Sequence, residues 1–319
     1  MGEFIIMLRN VLIFVALAIP GYILVKGKLL TPAQSGVLSK LLMYLALPLL
    51  IFSGVVKNLT FTAESLRMLG VVAGIGIVAV FGMFFVSKPL VKMEKNLKTG
   101  GMMRFCAVFA NNGFLGIPLA VAVFGGESQV VTVLIVLNII NNVLMYTLGA
   151  YLTTGDKANI SIKKAFFNPV LIAFVLGCVC NLFKVAEYVP EVITFSDHFS
   201  SIVTPVSMTI IGMKLGAVSL KTLFRSGRLY YVSFLKLVLF PAVVTAAIFL
   251  LGLTPWDLPV VNIILGVFIA YATPTAGLAA TFADEFDGDT ENAVVFTLGT
   301  TVLSVVTIPT LYWLLNCFI

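Results

Sequence analysis

Two short segments combine residue types that can hold an anion without covalent chemistry: Asn111-Asn112-Gly113-Phe114-Leu115-Gly116-Ile117-Pro118 and Thr273-Pro274-Thr275-Ala276-Gly277. Proline removes an intrahelical donor and glycine loosens the backbone, so each segment is predicted to interrupt a helix. An interruption leaves unpaired N–H groups where the next half-helix begins, and the helix dipole there favours negative charge. Amide and hydroxyl side chains beside such an end can donate to a carboxylate, or satisfy the freed backbone instead. The candidate substrate-binding residues are therefore Asn111, Asn112, Gly113 and Pro118 with Thr273, Pro274 and Thr275. The alternative is that these side chains only cap broken helices. Gly113, Gly116 and Gly277 suit a close crossing of backbones and need not touch ligand.

Lys236 is the one base well inside an apolar stretch, where an ammonium is costly and needs protein or water around it. It joins the candidate set as an anion attractor, a protonation switch or a conformational lock. The competing reading is a lysine snorkelling to the interface near Arg228. Lys40 and Lys214 lie closer to span ends and are read as snorkelling. Asn138 and Asn142 share a helix face and are candidates for a supporting shell, with Asn141 in the same neighbourhood. His198 is read as a lone exposed histidine. No apolar stretch contains a carboxylate well inside it, which argues against a simple Asp or Glu proton switch and removes the usual charged sodium ligand. The coupling ion, proton or sodium, is left open, and no metal or organic cofactor is expected. HExxH, GxSxG and phosphate-binding glycine motifs are absent, so an intramembrane enzyme is disfavoured.

The elements that position these residues are membrane spans. The 319-residue chain is 60% hydrophobic and only 11% charged, against about 25% charged in an ordinary soluble domain. Charge-poor stretches recur at 10–25, 41–56, 68–87, 105–126, 128–152, 168–183, 199–213, 229–251, 258–283 and 292–317. Each approaches the roughly 20 residues that cross a bilayer core, and the seventh is expected to begin near Pro190. No cleavage site follows the first apolar run, so a cleaved signal peptide is not expected. Basic residues crowd alternate loops, which predicts both termini outside. The net charge of +6 thus reflects loop placement and does not call for a nucleic-acid partner. The inner loop with Asp284, Glu285, Asp287, Asp289 and Glu291 breaks the pattern; it is read as solvated, without the spacing of a calcium loop. Cys106, Cys178, Cys180 and Cys317 fall in apolar stretches and are read as small core residues.

Prolines suggest a repeat. Pro32 pairs with Pro190, Pro48 with Pro205 and Pro118 with Pro274, at offsets of 158, 157 and 156 residues. Division near residue 155 yields two five-span halves, 1–155 and 156–319, of opposite orientation. Paired broken spans in inverted halves are the sequence pointer to a secondary transporter's binding site. The predicted fold is an all-α integral membrane protein of ten helices in two inverted five-helix repeats, with broken helices 4 and 9 crossing.

The run Phe105 to Leu119, ending Val123-Phe124-Gly125, resembles the fourth span of the auxin efflux carrier family, with its Asn-x-Gly-Phe-x-Gly-x-Pro pattern. Leu47-Pro48-Leu49, Asn168-Pro169, Leu235-Lys236-Leu237, Phe240-Pro241, Ala272-Thr273-Pro274 and the Ser304 to Pro309 segment extend the likeness over nearly the whole chain. The resemblance implies a scaffold of helices 1, 2, 6 and 7 beside a transport domain of helices 3–5 and 8–10. It also implies an elevator motion, a homodimer, and a small organic anion such as malate, malonate or an auxin-like acid as cargo. The long cytoplasmic loop of the plant exporters is absent, which points to a compact microbial carrier in a plasma membrane, such as a bacterial inner membrane. A sodium-dependent bile-acid-type symporter is the neighbouring alternative, disfavoured by the missing intramembrane carboxylates. A channel or receptor on the same fold is another; these 319 residues hold no soluble output domain.

Overall fold

The computed structural model describes residues 2–156, 160, 162–250 and 259–318. In chain order the principal helices are α1 (Gly2–Lys26), α2 (Pro32–Asn58), α3 (Ala63–Leu90), α4 (Leu97–Val108), α5 (Asn112–Phe124), α6 (Gln129–Thr154) and α7 (Pro169–Leu182). They continue with α8 (Glu191–Ala217), α9 (Gly227–Leu250), α10 (Val260–Ala272), α11 (Ala279–Glu285) and α12 (Thr290–Leu315). Among the described residues seven helices, α1, α2, α3, α6, α8, α9 and α12, are long and apolar enough to cross a membrane; α5, α7 and α10 are shorter apolar helices. The fourth predicted span is therefore split into α4 and α5, and the ninth into α10 and α11. The seventh begins at Glu191, as the sequence suggested.

Helix starts follow from capping chemistry. Thr62, Asn96, Ser128, Asn168, Ser226 and Asp289 each accept a hydrogen bond from a first-turn N–H of the helix they open. Three prolines act differently. Pro48, Pro118 and Pro241 each follow a π-helical turn, at Leu42–Ala46, Asn112–Gly116 and Leu235–Leu239. A proline cannot donate to the carbonyl four residues back and its ring crowds that carbonyl, so the preceding turn widens by one residue and the helix continues.

α1 packs along α8 at backbone contact. A Cβ on Gly212 would lie 1.9 Å from the Ala18 carbonyl oxygen, and one on Gly21 would lie 2.0 Å from that of Thr209. α2 packs on α7 and on the first part of α8. Asn181 of α7 donates to the Val56 and Leu59 carbonyls, both at 2.9 Å, covering the open end of α2. Nearby, Lys57 pairs with Asp197 at 2.7 Å, and Ser53 donates to the same carboxylate. The remaining helices assemble around α6, which packs on α3 and α10, and around α12, which packs on α9, α11 and α1.

One sequence boundary is corrected. α4 starts at Leu97, well before the apolar run at Phe105, because Arg104 does not mark a membrane surface. Its guanidinium donates to the Ser87 hydroxyl at 3.1 Å and the Phe84 carbonyl at 2.9 Å, and lies over the Phe84 ring. In the acidic run Asp284, Glu285, Asp287 and Glu291 are exposed, as a solvated loop would have them, and Asp289 is half-buried. Asp287 pairs with Lys98, Glu285 with Lys164, and Asp289 accepts from Thr99 and Asn292. Of the cysteines, Cys106 is buried, Cys178 and Cys180 are half-buried, and Cys317 is exposed rather than in the core.

Candidate functional site

The two breaks meet. Ala110 and Thr275 form an isolated antiparallel bridge: the Asn111 N–H donates to the Pro274 carbonyl at 2.9 Å, and the Ala276 N–H donates to that of Phe109 at 3.0 Å. Each break thus supplies the other with main-chain partners that its own helix has lost. Side chains complete the accounting. Asn141 clamps the Ala110 residue, accepting from its N–H at 3.2 Å and donating to its carbonyl at 3.1 Å. Thr275 donates to the Cys106 carbonyl at 2.8 Å, while its own N–H goes to the Thr300 hydroxyl at 3.2 Å. Pro274 has no N–H for the Ala270 carbonyl, and the Thr273 hydroxyl takes its place at 3.1 Å, also lying 3.2 Å from the Asn112 amide oxygen.

Beside the bridge lies a cavity of about 30 Å³ lined by Asn111, Gly113, Asn138, Asn141, Asn142 and Gly277, among others. Asn138 is almost fully buried there, and its Nδ2 has no hydrogen-bond partner. Its Oδ1 accepts from Asn142 at 3.0 Å, which orients the amide. Leu278 is shared with a second, much larger cavity of about 980 Å³. That vestibule lies among the start of α2, the approach to α7, the end of α8, and α11, and carries Lys40, Lys163, Lys164 and Lys214 with Asp284 and Glu285. Tyr44 and Tyr146 line it as well. Four ammonium groups against two carboxylates leave an excess of positive charge in a walled space, which concentrates anions.

Residues 5–312 match the family described as membrane transport protein. The chain belongs to that family. An uncharacterized transporter of Methanothermobacter thermautotrophicus is 26% identical over 304 residues, covering 94% of this chain and 96% of the relative. An uncharacterized transporter of Methanocaldococcus jannaschii is 28% identical over 219 residues, covering 66% of this chain and 70% of that one. The resemblance to the auxin efflux carriers seen around residues 105–125 is thus borne out at the level of the family.

In this membrane transport protein the sequence-predicted residues separate into two groups. Asn111, Gly113, Asn138 and Asn142 line the small cavity, with Asn142 bonded to Asn138. Asn112, Thr273, Thr275 and Pro274 lie in the crossing itself, where their hydrogen bonds run to protein groups. Pro118 is buried at the start of the helix that follows the π turn, away from the bridge; the non-helical stretch is 109–111. Pro118 and Pro274 therefore do not hold equivalent places at the crossing. Lys236 is fully buried and does not snorkel; its ammonium donates to the Tyr271 carbonyl at 3.1 Å. Lys40 and Lys214, read as snorkelling, both line the vestibule. His198 is exposed. Sequence reasoning missed the backbone clamp by Asn141, the role of Thr300 and the gathering of the vestibule lysines. Only the i, i+3 relation of Asn138 and Asn141 hinted at the first.

Proposed function

We propose that the protein is a secondary transporter that moves a small organic anion, a carboxylate such as malate, malonate or an auxin-like acid. The observation that carries this reading is the unpartnered Asn138 amide in the cavity at the crossing, beside a lysine-bearing vestibule. A buried N–H without an acceptor is costly, and a carboxylate oxygen would supply the acceptor. The small cavity has room for about one water, so the cargo would seat at the vestibule's inner end with one oxygen reaching Asn138. Asn111 and Gly113 would border it, with Asn112, Thr273, Pro274, Thr275 and Pro118 holding the broken backbone in place.

The ten apolar helical passages, seven long and three short or broken, support ten crossings in two inverted halves divided near residue 155. The packing of α1 on α8 and of α2 on α7 supports a scaffold, beside which the crossing helices would travel as an elevator. A homodimer built on that scaffold, a plasma-membrane location and external termini complete the reading. The test is uptake of labelled mono- and dicarboxylates into vesicles holding the purified protein, at several pH values and with or without sodium. Saturable uptake is expected, reduced roughly 10- to 100-fold by Asn138→Leu at limiting substrate, since a hydrogen bond to a charged group contributes about 1.5–3 kcal/mol. Non-saturating conductance, or unchanged uptake by a folded Asn138→Leu protein, would refute it.

A further inference from the structure

Lys236 is the only charged side chain among the buried residues described, and among the described residues no carboxylate is paired with it. Its position follows from the accounting of carbonyls at the end of α10. The Ile269 carbonyl accepts from the Thr273 N–H, and that of Ala270 from the Thr273 hydroxyl. The next carbonyl, Tyr271, would ordinarily accept from the Thr275 N–H, which is turned away to Thr300. Tyr271 therefore presents an orphan acceptor at the negative end of a helix dipole, in a fully buried place. Lys236 reaches it from the π turn Leu235–Leu239 on α9. The C-terminal ends of broken half-helices are where transporters of this general design coordinate small cations.

We propose that the Lys236 ammonium is a resident cation, tethered by its own side chain at a cation position that ends α10. Removing the side chain then opens a site for a free monovalent cation of similar size. A neutral donor would satisfy one lone pair of Tyr271 but would leave the dipole end uncompensated, so charge matters as well as hydrogen bonding. The inference goes beyond the transport reading and does not depend on the cargo.

The test is thermal unfolding of the purified protein in choline, sodium and methylammonium chloride at equal ionic strength, without any transport substrate. Wild type is expected to unfold at the same temperature in all three salts. Lys236→Ala is expected to unfold earlier in choline and to recover in sodium or methylammonium, by about 2–4 °C at ten times the cation's Kd. Recovery of folded Lys236→Ala only in those two salts gives the same support. Lys236→Gln, which keeps a donor and fills the space, is expected to stay below wild type in every salt. A Lys236→Ala protein insensitive to both cations, or lost in every salt, overturns the proposal; so does a Lys236→Gln protein as stable as wild type.

Discussion

Replacing Asn141 tests whether the crossing is held by side-chain satisfaction of an unwound backbone. Its amide accepts from the Ala110 N–H at 3.2 Å and donates to the Ala110 carbonyl at 3.1 Å, and both residues are buried. Asn141→Leu keeps the volume and removes both partners at once. Each buried main-chain group left unpaired costs about 1–3 kcal/mol, so the variant should lose about 2–6 kcal/mol. At about 2 °C per kcal/mol, the low end for a large domain, the unfolding temperature should fall by about 4–12 °C. Asn142→Leu is the internal comparison: its side chain donates to Asn138 and not to the break, so its loss should be smaller. The assay is thermal unfolding in detergent followed by tryptophan fluorescence. An Asn141→Leu protein within 1 °C of wild type would show that the Ala110 peptide groups have other partners, and the reasoning would fail.

Gly212→Ala should destabilise by at least the 1–3 kcal/mol typical of overpacking, because its Cβ would meet the Ala18 carbonyl; Gly74→Ala, with open space around it, should be neutral or stabilising by up to about 1 kcal/mol in the same unfolding assay. Lys40→Gln should slow anion uptake roughly two- to five-fold at low salt and much less at high salt, since its exposed vestibule charge is screened, whereas the effect of Lys214→Gln, at a half-buried lysine, should depend less on salt. The Glu94 carboxyl accepts from the Asn96 N–H and from Arg228, and these bonds, the first being the larger influence, hold it below the ordinary carboxyl range against partial desolvation. A carboxyl lowered in the folded state contributes stability above its unfolded value, about 4.3, and loses it as pH falls through the folded value. Arg228→Gln should therefore shift the onset of acid unfolding to higher pH, as read by unfolding temperature against pH.

Pro274 made the ninth break legible, because an imino acid inside an apolar run forfeits a donor whatever surrounds it. The fourth break was legible only as a region. Pro118 drew attention to it, yet a π turn accommodates Pro118, and the backbone departs from helix at 109–111 because Pro274 and Asn141 capture its peptide groups. Those partners are remote in sequence, and no local propensity encodes them. Arg104 misled for a related reason: its charge is answered by α3 carbonyl, hydroxyl and ring groups that sequence alone does not bring near. Lys236 was visible as an anomaly of charge in an apolar run, whereas its partner, a carbonyl orphaned by a distant threonine, was not. The vestibule lysines could be read only as markers of one membrane face.

The main-chain bridge between the two breaks also constrains how the chain can be built. Thr275 completes Cys106 from 169 residues downstream, and Pro274 completes Asn111. During synthesis residues 106–111 therefore precede their partners, and these peptide groups go without them until residues 274–276 have been made. Closing so long a loop costs little more than closing a short one, but it sets a late and all-or-none step, since the paired segments have no local substitute. Completion of the crossing thus waits on α10 and the segment that follows it: until residues 274–276 dock, the peptide groups at 106–111 lack the partners they have in the finished fold.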